Sequence, residues 1–104
     1  MQKLLDSRKL LEGASLGITH DHKQFILVRK DNRAYAYINS CPHLGINLEF
    51  QPNVFLDAGG EYIQCSSHGA LFEIKDGSCI WGPCSGQALQ KVSIQEFDGA
   101  IWLK

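Results

Sequence analysis

Two short stretches hold the residues best suited to chemistry: "SCPHLG" at Ser40–Gly45 and "QCSSHG" at Gln64–Gly69. Cys41 precedes His43 in the first, Cys65 precedes His68 in the second, and each stretch closes on glycine. A single such cysteine is commonly a buried thiol with a surface histidine nearby. Two matched pairs, each in a Pro- or Gly-containing loop, point instead to a shared metal centre. Two chemistries fit the donors. Tetrahedral zinc accepts two thiolates and two imidazoles, although zinc fingers group both cysteines ahead of both histidines. A [2Fe–2S] cluster with two thiolates on one iron and two imidazoles on the other uses a mixed pair from each loop. Its irons lie side by side, so each loop spans the cluster with one residue per iron.

Strands must carry these loops. Phe25–Arg29 is rich in β-formers, Lys30–Arg33 ("KDNR") supplies turn residues, and Ala34–Asn39 returns as "AYAYIN". Asp76-Gly77 and Asp98-Gly99 each sit between strand-like runs, the two-residue hairpin signal. Before the second of these, Val92 and Ile94 alternate with Ser93 and Gln95; after it comes "AIWL". Gly59-Gly60 opens a short strand, Glu61–Gln64, which runs into Cys65. Only Asp6–Glu12 suggests helix, of one or two turns, with Asp6 or Ser7 as cap and Gly13 as stop. The expected fold is all-β, small and antiparallel. Cys41 and Cys65 each follow a strand, so neighbouring strands are expected to bring the two loops together.

The 104 residues suit one domain with a modest core. A formal charge of −1 argues against nucleic acid or an anionic membrane as partner, since both select a basic excess. Met1–Gly13 mixes charges among its leucines and lacks the apolar core of a signal peptide. Apolar runs such as Phe25–Val28 are far too short to cross a bilayer. A cytoplasmic location is expected, where paired cysteines serve metals or redox chemistry more often than structural disulfides.

"CPHLG" at Cys41–Gly45 and "CSSHGALF" at Cys65–Phe72 resemble the two cluster-binding boxes of the Rieske family, C-x-H and C-x-x-H. "LVRKDNRAYAYINSCPH" resembles the hairpin that leads into the first box. "GPCSGQAL" at Gly82–Leu89 resembles the Gly-Pro loop that shields the cluster, and "VSIQEFDGAIWL" the closing hairpin. The resemblance implies a single Rieske [2Fe–2S] domain over residues 1–104, sandwich- or barrel-like, with a two-loop cluster-binding part at about 40–85. It implies Cys41 and Cys65 as ligands of the inner iron, and His43 and His68 of the outer one. Twenty-one residues separate His43 from Cys65, more than small Rieske ferredoxins usually have, and Gln51–Gly60 is expected to hold the surplus as a surface excursion. The high-potential branch has an extra cysteine in each box, joined as a disulfide, where this chain has Ile46 and Ser67. That branch also has a serine and a tyrosine where this chain has Ala70 and Phe72. Fewer hydroxyl donors toward sulfur imply a low-potential, ferredoxin-type member.

The remaining features are read more plainly. Cys79 and Cys84 flank "IWGP" and are expected to pack as small hydrophobes rather than form a disulfide or redox pair. His20 and His22 in "THDHK" are expected in a polar turn, and Trp81 and Trp102 as core or rim aromatics. With His43 and His68 on the cluster, the chain keeps no donor set for the mononuclear iron of an oxygenase. Nor does it carry the G-x-G-x-x-G fingerprint of a dinucleotide site. The resemblance thus implies a one-electron carrier rather than an enzyme, taking electrons from a flavoprotein reductase to a terminal oxygenase of the aromatic-ring dioxygenase type. Within the family the alternative is the small Rieske-like subunit of an assimilatory nitrite reductase. Outside it, the alternative is a zinc-stabilised interaction module.

Overall fold

A computed structural model describes residues 1–42, 48, 53–65 and 69–104. Nine strands and one 3₁₀ turn are formed among them. They are β1 (Gln2–Asp6), the turn Ser7–Lys9, β2 (Ser15–His20), β3 (Lys23–Lys30), β4 (Arg33–Ile38), β5 (Tyr62–Gln64), β6 (Leu71–Glu73), β7 (Cys79–Trp81), β8 (Ile94–Phe97) and β9 (Ala100–Leu103). The strands pair antiparallel in three sheets of three, ordered β1-β9-β8, β2-β3-β4 and β5-β6-β7. The helix expected over Asp6–Glu12 shrinks to Ser7–Lys9, after which Leu10 turns extended and buries its side chain.

The central sheet has two buried faces, which explains why Phe25–Val28 is apolar without a break. Ile26, Val28 and Tyr37 pack on one side with Phe55, Ile63, Phe72 and Ile74. Leu27 and Ala36, on the other side, join Leu10 and Ile101, with Ile94 and Leu16 at the edge. Successive residues of β3 therefore serve different cores, as the strand period of two requires.

Tight turns set the register. Both central residues have positive φ at Asp21-His22, Asp31-Asn32 and Asp98-Gly99. Such two-residue turns match the twist of the strands they join. Glu12 fastens the second by accepting hydrogen bonds from the backbone N–H groups of Asp31 and Asn32 at 2.7 and 2.8 Å. Asp76-Gly77 departs from expectation. It belongs to a wider turn in which the Gly77 N–H donates to Glu73 O, and Asp76 Oδ1 accepts from the Ser78 N–H. Ile74 is buried here, and the Tyr37 hydroxyl donates to its carbonyl, which withdraws that residue from a two-residue turn.

Gln51–Gly60 also departs from expectation where it is described. Phe55 is 1% exposed in the main core and Leu56 bridges to Ile63, although Val54 and Gly59 lie at the surface. Asn53 docks this segment on β2: its side-chain oxygen accepts from the Gly17 N–H at 2.8 Å.

Arg29 ties the central sheet to the β1-β9-β8 sheet. Its guanidinium donates to both Glu96 oxygens, at 2.6 and 3.1 Å, and Nε donates to Leu10 O at 2.7 Å. The side chain is mostly buried, so its removal strands the carbonyl of buried Leu10 and leaves the surface carboxylate of Glu96 unpaired. Arg29→Met is expected to cost about 2–3 kcal/mol in denaturant unfolding. Hydrogen bonding by Arg29 holds the Glu96 carboxyl below its ordinary value. Its contribution is therefore present above the ordinary carboxylate pKa and lost as pH falls through the lowered folded value. The acid-side loss of stability should be shallower in Arg29→Met. An equally steep loss would place that sensitivity elsewhere.

Candidate metal centre

The first loop leaves β4 at a fixed point. The Asn39 N–H donates to Gln24 O and the Ile38 N–H to Gln90 O, both at 2.9 Å. Asn39 is buried, and its side-chain oxygen accepts from the Leu48 N–H at 2.8 Å. That bond clamps the two ends of the loop and ends the alternating pattern of "AYAYIN". Two residues on, Cys41 turns into the main core with 2% exposure.

The second loop closes the β5–β6 hairpin. Beyond the pair Gln64–Leu71, the Cys65 N–H donates to Ala70 O and the Gly69 N–H back to Cys65 O, each at 2.9 Å. Cys65 is fully buried in the same core as Cys41. The loops are thus assembled differently from expectation. β4 and β5 lie in separate sheets, and it is the packing between sheets, not a ladder between neighbouring strands, that brings the two cysteines into one core.

A third segment covers this end. After β7 the chain turns through Gly82 and Pro83, with the Ser85 N–H and hydroxyl both donating to Gly82 O. Gly82 has φ +113° and rests on the backbone of Ala70: a Cβ there would lie 2.8 Å from Ala70 Cα. Trp81 reaches over Gly69 and is 60% exposed, which makes it a rim residue rather than part of the core. Trp102 is half-buried at the far hairpin and stacks on Phe97. Pro42 is half-buried and Pro83 exposed. His43 and His68, with Leu44, Ile46 and Ser67, lie outside the described residues.

All four cysteines are buried and none is in a disulfide. Burial pushes the Cys84 thiol up to about 12, with further upward contributions from Cys79 and from Cys41. Cys84 is therefore a neutral thiol in the core that also holds Cys41. His20 and His22 take no part here: the His20 ring bonds Gln2 Oε1 at 2.6 Å, and His22 occupies its turn.

The model of the Rieske [2Fe-2S] domain matches residues 1–98. The chain belongs to the Rieske [2Fe–2S] domain family. Membership carries its cofactor, one [2Fe–2S] cluster per chain. The fold is shared with the ferredoxin of carbazole 1,9a-dioxygenase from Nocardioides aromaticivorans IC177, at TM-score 0.79 and 20% identity, covering 97% of this chain and 93% of that one. It is shared also with the terminal oxygenase of the same system, at TM-score 0.82 and 19% identity, covering 98% of this chain but 29% of that one. A cholesterol 7-desaturase from Hemicentrotus pulcherrimus is 35% identical over 78 residues, 74% of this chain. This chain spans 16% of that protein's length.

The buried residues of this Rieske domain suit the cluster. Thiolates are soft ligands of the kind that iron–sulfur centres select, and a buried thiolate needs a cation beside it. Cys41 and Cys65 are buried in one core, where thiolates would need such a cation. One feature of the site escaped the sequence reading: Asn39 clamps the first loop, signalled only by a polar residue closing an apolar alternation. Trp81, expected in the core or at the rim, takes the rim position.

Proposed function

We propose that the chain is a one-electron carrier in which Cys41, His43, Cys65 and His68 hold the cluster. It forms a single domain over residues 1–104, with the cluster-binding part at about 40–85. Burial of both cysteines in one core, beneath the Gly82 loop and beside an exposed rim of Trp81 and Pro83, is the observation that carries this reading. When bound, the cluster gains and loses a single electron. Cys41 and Cys65 would hold it by thiolates in a core closed to water. Two neutral imidazoles reduce the negative charge around it, relative to four thiolates. The apolar rim provides a contact of modest area, from which a redox partner departs quickly.

A flavoprotein reductase as donor and a terminal oxygenase as acceptor fit this role, and the carrier itself performs no catalysis. The chain shares its fold with a dioxygenase ferredoxin over nearly that protein's full length, which supports the carrier reading. A cytoplasmic setting suits such partners; no helix among the described residues is long and apolar enough to cross a membrane.

Composition and colour test the reading. Anaerobically purified protein is expected to hold about two irons and two acid-labile sulfides per chain, and its reduced form to give an EPR signal of mixed His/Cys ligation. Colourless protein with one zinc and no sulfide would overturn it in favour of the zinc module.

Hydroxyl donors give a finer test. Ala70 is 1% exposed, and its carbonyl accepts from the Cys65 N–H. Ala70→Ser places a hydroxyl one hydrogen bond from the cysteine loop. A donor of about 1 kcal/mol toward sulfur raises a one-electron potential by about 40 mV. Voltammetry showing an intact cluster and no rise would discard this account of the low potential.

A further inference from the structure

Cys79 and Cys84 stand apart from the proposed ligands, yet they share their core. Their sulfurs are 3.0 Å apart. Cys79 Sγ also lies 3.4 Å from Trp81 O and donates to it, which leaves the Cys84 S–H to point at Cys79. Cys79 is 8% exposed and Cys84 1%. Cys79 is the less deeply buried residue of the two, and the sulfur of its neighbour is already aimed at it. The pair is joined by a short loop through Trp81, Gly82 and Pro83, with Gly82 resting on Ala70 of the second cysteine loop. A disulfide sulfur separation is about 2.0 Å, so closure asks for a movement of about 1 Å.

We propose that Cys79 and Cys84 form a redox-active dithiol that closes to a disulfide when a peroxide reaches Cys79. The Cys79 sulfur attacks one peroxide oxygen, the O–O bond breaks, and water leaves with the thiol proton, giving a sulfenic acid. The Cys84 sulfur then attacks Cys79 Sγ, the S–O bond breaks, and a second water leaves with the Cys84 proton. Two thiols lose two electrons, and one peroxide becomes two waters. The new bond clamps the Gly82–Pro83 cover in place over the second loop.

Protein carrying its cluster is treated anaerobically with one equivalent of hydrogen peroxide, quenched in acid, alkylated and digested with trypsin. Both cysteines fall in the fragment Asp76–Lys91, whereas Cys41 and Cys65 do not. The fragment is expected two hydrogens light and unalkylated, and to take two alkyl groups only after reduction. In Cys84→Ser, dimedone is expected to trap Cys79 as its sulfenic acid adduct, at least fivefold more than in the wild type. Recovery of the fragment doubly alkylated without reduction overturns the proposal. So does a disulfide to Cys41 or Cys65, or a Cys84→Ser protein that traps no dimedone at Cys79. The masses are read whether or not the protein is coloured, so this proposal and the cluster reading fail separately.

Discussion

Cys41→Ala and Cys65→Ala proteins are each expected to contain no [2Fe–2S] cluster. Each cysteine supplies half of the thiolate ligation proposed for one iron, and each lies in a core where water has no room to replace it. Neither substitution should unfold the chain. Deleting one buried sulfur costs about 1 kcal/mol at this scale of core truncation, and the surrounding strands keep their hydrogen bonds. The expected result is a colourless protein with unaltered far-UV circular dichroism and no sulfide. Cys79→Ala is the matching control, since it removes a buried thiol from the same core and should leave iron and sulfide in place. Full iron and sulfide in either Cys41→Ala or Cys65→Ala would exclude that residue as a ligand. Replacing histidine should differ in kind. His43→Cys or His68→Cys is expected to assemble with added negative charge and a lower potential, and an unchanged potential in an intact variant would contradict the charge argument.

The second large effect is expected from a single methyl group. Gly82→Ala puts a Cβ 2.8 Å from Ala70 Cα and 2.9 Å from Ala70 Cβ, at a φ of +113°. The first is a collision with backbone, which no side-chain rotation relieves. The second condition, a left-handed φ, costs a residue with Cβ about 1–3 kcal/mol. Ala70 is held from behind by its bond to the Cys65 N–H, so relief requires the Gly82 loop to lift. A total loss of about 3–5 kcal/mol follows, together with faster release of iron to a chelator. Gly86→Ala isolates the steric part: its φ is +90°, but nothing lies within 4 Å of the new carbon. Denaturant unfolding and chelator kinetics should rank Gly82→Ala well below Gly86→Ala. Equal behaviour of the two would show that the contact with Ala70 has no consequence.

The features legible in the chain alone are local. Two Cys/His boxes announce a metal centre, because donor types and spacing are written in the chain. The Asp98-Gly99 turn, the polar turns at Asp21-His22 and Asp31-Asn32, and the unbroken apolar run of β3 are legible for the same reason. Each depends on one or a few adjacent residues. The tertiary structure decided what depends on residues far apart. It placed β4 and β5 in different sheets, so that sheet packing rather than strand pairing joins the two cysteine loops. It widened the Asp76-Gly77 turn, because the hydroxyl of Tyr37, 37 residues away, takes the carbonyl of Ile74. It drew Phe55 out of an expected surface excursion and into the core, since the face of Ile26, Val28 and Tyr37 needs covering. And it set Cys79 and Cys84 with their sulfurs in contact, because the turn at Gly82 folds back where only a residue without a side chain can rest on Ala70.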